Sequence, residues 1–344
     1  MKQQSNPSAR LLGLDVLRAM ASISVVLWHL TTVISSENNP SAPYWHFILF
    51  IRSITRWTNG CFIMISGYIL LDNRRTVTIS NLFKKRILHH WRVYIFWNTI
   101  SWIVEKYRNK QSWQSFYNSL TQPFWQLWFM PMTISLTIIT PLLRFASENE
   151  ILLKYYIVLC FLNNVLLPTL NDFQSLKMFY RGLSKYLPRL PLYSGYFTCG
   201  YYLGHYELKR SDRIWIYLSG LLATVYLFVM PYLKVHYFHT CHIFSWSNFS
   251  LATPFQCLAM FLLFSRLQIS SESISYKVFS WIARYSFGVY LIHINIYRVF
   301  TFFNLKSNSF YPPIWIFIFV SMVYCVSLIV SYIIHMLPYN SLFV

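Results

Sequence analysis

The segment GLDVLRAMASISVVLWHLTTVI, residues 13–34, decides the fold of this chain. Its apolar run is as long as the roughly 20 residues that a helix needs to cross a bilayer, yet it contains Asp15, Arg18 and His29. An ionisable side chain at mid-membrane costs about 2.5–3.5 kcal/mol on insertion scales, so such groups usually mark a functional site. The segment predicts a membrane span that carries a site.

The rest of the chain has the same apolar character. Of its 344 residues, 56% are hydrophobic and only 11% are charged, whereas about a quarter are charged in soluble domains. The mean hydropathy is +0.40, and long apolar runs recur from end to end. We therefore expect an all-α, multi-pass membrane protein, folded as one domain over residues 1–344 with a tail of about residues 1–10.

Hydropathy and loop charge predict a bundle of ten spans with both termini in the cytoplasm. The loop at residues 72–92 holds six Lys and Arg residues, and a short loop this basic is expected to stay inside. The predicted spans are approximately 11–34, 46–71, 90–105, 124–143, 151–170, 190–206, 214–233, 249–267, 281–303 and 313–336.

The net charge of +19 does not indicate a nucleic-acid partner, because the basic residues lie in short loops between apolar runs. The positive-inside rule and anionic lipid explain such a pattern. One basic segment, residues 171–189, falls on the predicted outer side. Either long loops count less toward orientation, or these charges meet an anionic partner.

Helical geometry places Arg18 and His29 on one face of the first span. Their separation of eleven residues corresponds to three turns plus about 20° and a rise of about 16 Å. Asp15 can pair with Arg18 three residues on, but it lies about 21 Å from His29 along the axis. The alternative is a snorkelling Arg18 and a His29 bonded to another helix; both groups on one stripe favour function.

Several segments in chain order resemble one family. They are LDVLRAMASISVVLWH (14–29), CFIMISGYILL (61–71), the basic loop 72–92, LWFMPMTISLTIITPLL (127–143) and RYSFGVYLIH (284–293). Together they resemble the acyltransferase-3 family of integral membrane acyltransferases. Within it the chain looks most like the stand-alone members that O-acetylate bacterial surface polysaccharides such as enterobacterial common antigen.

The resemblance implies a multi-pass enzyme of the bacterial inner membrane. It implies an acyl-CoA donor, normally acetyl-CoA, and an acceptor hydroxyl on a cell-surface polysaccharide or its lipid-linked precursor. Arg18, His29, Ser66 and Gly67 match the family motifs directly. The family also has a basic pair after the second span, and which two residues of this loop correspond to it stays open: Arg74, Arg75, Lys84, Lys85 or Arg86.

These residues suit acyl transfer from a thioester to a sugar hydroxyl. The reaction needs a base for the hydroxyl proton, and a buried imidazole such as His29 stays neutral because desolvation disfavours its charged form. Near the cytoplasm, the donor phosphates would meet cations that include Arg18 and the loop residues Arg74, Arg75, Lys85 and Arg86.

Other residues of the spans are also candidates for the site, and two of them have two interpretations each. Arg56 either snorkels or binds the acceptor, and His293 either binds substrate or makes a helix-packing hydrogen bond. Ser66 is expected at the substrate site, and Trp125 is interpreted as part of an interfacial aromatic belt. In HYFHTCH (236–242) the histidines spread over about 120° of a helix with no carboxylate nearby, so we expect no metal.

A transporter or flippase for a polyprenol-linked glycan is the rival function, because ten spans with internal charge would also suit it. The sequence shows no pair of Gly/Pro-broken helices in its two halves, the pattern typical of inverted repeats. The oligomeric state, the acceptor sugar and the acyl group transferred are not indicated by the sequence.

Overall fold

The computed structural model describes residues 7–36, 44–74, 78–109, 116–118, 121, 123–170, 190–238, 250–303, 312–338 and 343–344. This part of the chain is a bundle of helices, in agreement with the predicted all-α class. Its long helices are α1 (Pro7–Ser36), α2 (Trp45–Ile54), α3 (Thr58–Leu70), α4 (Leu88–Asn109), α5 (Phe129–Ser147), α6 (Glu150–Phe161), α7 (Ser194–His205), α8 (Arg210–Phe238), α9 (Ala252–Ser265), α10 (Ile274–Phe302) and α11 (Pro312–Met336).

A helix lies over each of the ten predicted segments. Within the described residues, five helical stretches are long and apolar enough to cross a membrane, and α9 is a shorter apolar helix. The five are Leu12–Thr32, Trp125–Ser147, Glu150–Thr169, Arg210–Tyr237 and Pro313–Met336. The protein is therefore multi-pass, while the number of ten spans and the orientation of its termini stay predictions.

The predicted span 46–71 is not one continuous helix. A turn at Thr55–Trp57 separates α2 from α3, although the segment has no proline to break it. The turn supplies its own hydrogen-bond donors: the Thr55 hydroxyl donates to a carbonyl four residues earlier (2.7 Å), and the Trp57 indole N–H to one three residues earlier (2.9 Å). The Thr58 hydroxyl donates to the Thr55 carbonyl. Such internal pairing lets a helix break inside a membrane.

Helix α1 lies at the centre of the bundle. Its first half, with Leu14 and Leu17, packs into an apolar core that also includes α3, α7 and α9. Its second half, with Val26 and Leu30, packs into a second core built mainly with α10 and α11. The stripe predicted to carry chemistry thus runs from one core to the other.

Helices α3 and α7 cross in backbone contact. A Cβ added at Gly67 would lie 1.8 Å from the Phe197 carbonyl oxygen, and one at Gly200 would lie 2.0 Å from the Met64 carbonyl oxygen. Small residues permit this close approach between membrane helices. The crossing holds α3 in place and explains Gly67 as a packing residue.

Candidate active site

The N-terminal end of the α1 stripe carries Arg18, a cation that is paired and partly accessible. Arg18 lies 3.5 Å from Asp15, nitrogen to oxygen, and about a third of each side chain is exposed (31% and 32%). The Tyr276 hydroxyl donates to the other Asp15 oxygen at 3.2 Å. The predicted ion pair is confirmed, and it leaves Arg18 open to a ligand.

A cavity of about 180 Å³ adjoins Arg18 and follows α1. Its walls come from α1, α3, α4, α5 and α10, and they bring together Arg18, Ser66 and His90 with aromatic side chains such as Tyr290. Val25, one turn before His29, also lines it. The cavity therefore joins two predicted site residues, Arg18 and Ser66, and extends toward the third, His29.

His29 is buried in an aromatic enclosure with an exposure of 1%. Its ring stacks on Trp125, with centroids 5.1 Å apart and planes at 24°. The His293 ring meets it edge-on, also at 5.1 Å between centroids. Spacing along the chain did not identify a partner for His29; the packing of α10 against α1 supplies His293 as its neighbour.

His293 presents one ring nitrogen to this enclosure as an acceptor. Its Nδ1 lies 2.8 Å from the Tyr290 carbonyl oxygen and 3.1 Å from that of Val289. Carbonyl oxygens only accept, so Nδ1 carries the hydrogen and Nε2 of the neutral ring carries the lone pair. Within the described part of the chain, neither His293 Nε2 nor His29 Nδ1 has a hydrogen-bond partner.

Two arginines lie against the residue before His29. The guanidinium carbons of Arg56 and Arg52 are 4.7 Å and 5.4 Å from the centroid of the Trp28 ring, within cation–π range. Their exposures are only 5% and 7%. A snorkelling Arg56 would have an exposed guanidinium, so the structure does not fit that reading. Arg56 also interacts electrostatically with His29.

The basic loop divides into a paired and an exposed part. Arg74 makes two hydrogen bonds to the Asp72 carboxylate, at 2.9 Å and 3.1 Å. Burial alone would raise the pKa of that carboxyl, but the hydrogen bonds and charge of Arg74, with a smaller contribution from His205, lower it. The exposed part is a π-helical turn at Leu82–Ile87 that carries Lys84, Lys85 and Arg86. Arg75 lies outside the described residues.

Trp125 has a contact that its interpretation as an interfacial belt residue does not include. Its side chain is 45% exposed, which is compatible with a belt, and it also stacks on His29. The turn that carries it, Trp125–Leu127, is held from α10, because the Tyr290 hydroxyl donates to the Gln126 carbonyl at 2.6 Å. No spacing in the chain predicts this contact, since it depends on three separate elements.

A buried polar network supports the same turn. Ser101 of α4 accepts hydrogen bonds from Gln126 (3.3 Å) and Asn295 (3.2 Å). One turn farther, Arg298 pairs with Glu105 at 3.2 Å, nitrogen to oxygen. Buried polar groups need such partners, and the network fixes α4, α10 and the Trp125 turn relative to one another.

The structure describes only part of the HYFHTCH stretch. His236 lies near the C-terminal end of α8. Residues 239–242 lie outside the described part of the chain, as does the basic segment 171–189. Among the residues that the structure does describe, no group of three His, Cys, Asp or Glu side chains could hold a metal ion.

Residues 11–336 match a protein-family model, the acyltransferase-3 model, which is described as an acyltransferase domain. The chain belongs to the acyltransferase-3 family. Comparisons with curated proteins and with solved structures found no match. The match covers Arg18, Ser66, His29 and His293, so the acyltransferase-3 domain includes both the cavity and the histidine enclosure.

Proposed function

We propose that this membrane acyltransferase moves an acyl group, normally acetyl, from acyl-CoA to a hydroxyl of a cell-surface polysaccharide or its lipid-linked precursor. The observation that carries the proposal is the cavity beside α1, which leads from Arg18 toward the paired imidazoles of His29 and His293. Family membership supports acyl transfer as the reaction class.

The residues present fit an acyl-CoA donor as substrate. Cations suit its phosphates, and Arg18 with the exposed Lys84, Lys85 and Arg86 supplies them. The cavity of about 180 Å³ suits the flexible arm of the donor but is too small for its nucleotide. We therefore assign the nucleotide to the surface, where the donor enters from the cytoplasm, and the arm to the cavity.

His29 is assigned as the general base. It takes the proton of the acceptor hydroxyl while the oxygen bonds to the thioester carbonyl carbon. The carbon–sulfur bond then breaks, and the proton passes from the imidazole to the departing thiolate. The products are an O-acyl ester and the free thiol of coenzyme A.

His293 is assigned to the acceptor. Its Nε2 lone pair lies within the same enclosure as His29 and can accept a hydrogen bond from a sugar hydroxyl. Trp125 stacks on the His29 ring and restricts its orientation. The two imidazoles thus divide the work of holding the hydroxyl and removing its proton.

Radiolabelled donor tests the proposal directly. The full chain, purified into nanodiscs, is incubated with acyl-labelled acetyl-CoA or succinyl-CoA and, in separate reactions, with polysaccharide or its lipid-linked precursor from cells that lack the gene. Label is expected in alkali-labile ester on the glycan, from acetyl-CoA above succinyl-CoA. Glycan that stays unlabelled with both donors would contradict the proposal.

A comparison of cells with and without the gene distinguishes the acyltransferase from the transporter alternative. An acyltransferase predicts that cells without the gene keep the glycan at the surface but lose its ester groups. A flippase or exporter predicts that the surface glycan itself is lost. Family membership favours the first outcome.

A further inference from the structure

The break between α2 and α3 carries charge into an apolar region. Arg56 lies in the turn Thr55–Trp57, and Arg52 lies one helical turn earlier. Both guanidinium groups contact the Trp28 indole. Interrupted helices commonly form ligand sites in membrane proteins, because irregular backbone there is tolerated where it lines a site.

Two buried donors in and beside this break lack an acceptor within the described part of the chain. They are the Arg56 Nε–H and the Trp28 indole N–H. No ion pair between Arg56 and a carboxylate is found in the same part of the chain. Unpaired buried donors are costly, and these two donors together with the positive charge of the buried arginine pair indicate an anionic ligand with several acceptor oxygens.

A second cavity is lined by two tyrosines that lie near Arg56. Tyr193 and Tyr196 are neighbours of Arg56 and line a cavity of about 250 Å³ between α6, α7 and α9. The walls of this cavity are almost wholly apolar, with Phe161 and Leu258 among them. Its shape and chemistry suit a hydrocarbon chain.

Tyr193 adopts a left-handed backbone conformation, with φ of 69°. A bulky non-glycine residue rarely does so, and such strain tends to occur at functional sites. Its ring packs on Trp128 at 5.4 Å between centroids. The strained residue is thus one of the two tyrosines that line the apolar cavity and neighbour Arg56.

We propose that Arg52, Arg56 and Trp28 bind the phosphate or diphosphate of a polyprenyl lipid whose chain occupies the apolar cavity. This inference rests on the proposed function, and it selects the lipid-linked glycan over the finished polysaccharide as acceptor. The neighbouring His29, whose ring is 5.4 Å from Trp28 between centroids, would then face the attached sugar.

The arginine pair is distinct from the donor site. Trp28 is ten residues beyond Arg18 on α1, which corresponds to about 15 Å along the helix. The donor phosphates would therefore lie about three helical turns from His29, whereas the lipid phosphate would lie beside it. A free inorganic anion would use the arginines without the cavity.

Binding measurements on the full chain in neutral-lipid nanodiscs test the proposal. Four probes are used: a polyprenyl diphosphate, the uncharged polyprenol, inorganic pyrophosphate and phosphatidylglycerol. The polyprenyl diphosphate is expected to bind most tightly. Arg56→Gln is expected to weaken its binding about tenfold or more, the size of effect typical of a lost charged hydrogen bond. Arg284→Gln, an exposed arginine on α10, is the matched control and should bind as wild type.

Two further variants keep the test decisive where Arg56→Gln unfolds the protein. Trp28→Phe keeps an aromatic ring beside the arginines but loses the fused pyrrole ring with its unpaired N–H, so it should weaken binding of both diphosphate probes. Leu258→Trp narrows the apolar cavity and should weaken the polyprenyl diphosphate but not pyrophosphate. Unchanged lipid binding in both variants, or equally tight binding of phosphatidylglycerol, would overturn the proposal.

Failure of this inference is distinguishable from failure of the proposed function. If acyl transfer to a phosphate-free glycan occurs and is unaffected by Arg56→Gln, the lipid site is wrong and the enzyme assignment stands. If polyprenyl diphosphate binds through Arg56 but no acyl group is transferred, the lipid site stands and the enzyme assignment is wrong.

Discussion

The two ends of the α1 stripe hold positive charge in different surroundings. At the N-terminal end, Arg18 has a carboxylate partner and about a third of its side chain is exposed (31%). At the C-terminal end, Arg52 and Arg56 are buried against Trp28, next to the imidazoles of His29 and His293, whose Nδ1 and Nε2 respectively have no partner among the described residues. A neutralised, accessible cation suits a ligand that comes and goes from water, whereas a buried pair suits one held out of water.

The sharpest test of this contrast is His29→Ala. Loss of a general base is expected to lower turnover by about 10²–10⁴-fold, with donor affinity unchanged because Arg18 lies at the other end. Turnover of labelled donor and donor binding are measured on the same preparation. His335→Ala, on α11, is the control.

The same experiment with His293→Ala distinguishes the role of His293 from that of His29. It should raise the apparent KM for the acceptor more than it lowers kcat, because His293 is assigned to hold the hydroxyl. Near-normal turnover in His29→Ala together with abolished turnover in His293→Ala would reverse the assignments.

Gly67→Ala should disturb the sites at both ends of the α1 stripe. The new methyl group would meet backbone of α7 rather than a side chain that can move, so we expect the unfolding free energy to fall by about 1–3 kcal/mol. Helix α3 connects Ser66 at the cavity to the turn with Arg56, and loosening it should weaken donor and acceptor binding together. The thermal midpoint in detergent and both affinities are measured.

Ser66→Ala is the adjacent control for stability. Its hydroxyl donates within its own helix, to the Phe62 carbonyl at 3.0 Å, so the fold should tolerate the change. A Gly67→Ala protein as stable as wild type would show that the α3–α7 crossing is looser than described.

Arg18→Gln should affect only the N-terminal end of the α1 stripe. We expect donor affinity to fall about tenfold, equivalent to about 1.4 kcal/mol, with little change in the rate at saturating donor. Arg18→Lys keeps the charge and should recover part of the loss. Titration with acyl-CoA measures both, and an unchanged donor affinity in Arg18→Gln would remove this residue from the donor site.

Asp72→Asn should have the smallest effect. The pair with Arg74 is partly exposed, so its loss should cost under about 1 kcal/mol. Because the folded pKa of Asp72 is lowered, its stabilisation is present above the unfolded value of about 3.9 and is lost as the pH falls through the folded value. Wild type and variant should therefore differ at neutral pH and converge in acid.

Asp72→Asn also frees Arg74 for the donor. If Arg74 belongs to the family's basic pair, acyl-CoA affinity should rise slightly at low salt in the variant. Acyl-CoA affinity that stays the same would favour the exposed residues Lys84, Lys85 and Arg86 instead.

The parts of this site that lie on one helix were predictable from sequence. Helical period alone placed Arg18 and His29 on one stripe and paired Arg18 with Asp15. The long apolar runs predicted the helices, because only internal hydrogen bonding satisfies a backbone in lipid.

The parts that depend on packing between helices were not predictable. His293 and Trp125 meet His29 from α10 and from a short turn, and no sequence spacing records that contact. The break at Thr55–Trp57 contains neither glycine nor proline; threonine hydroxyls and an indole N–H compensate for it instead. Charge in span 46–71 was visible, but that Arg56 lies in a turn was not.

The self-paired turn at Thr55–Trp57 has a consequence for electrical insulation. A membrane enzyme that opens a helix to admit charge risks creating a path for protons, because exposed carbonyls recruit a chain of water. Here hydroxyl and indole donors of the turn itself occupy carbonyls around the break. This self-pairing leaves fewer carbonyls at the break unpaired, and so fewer sites at which water could bind beside the buried arginines.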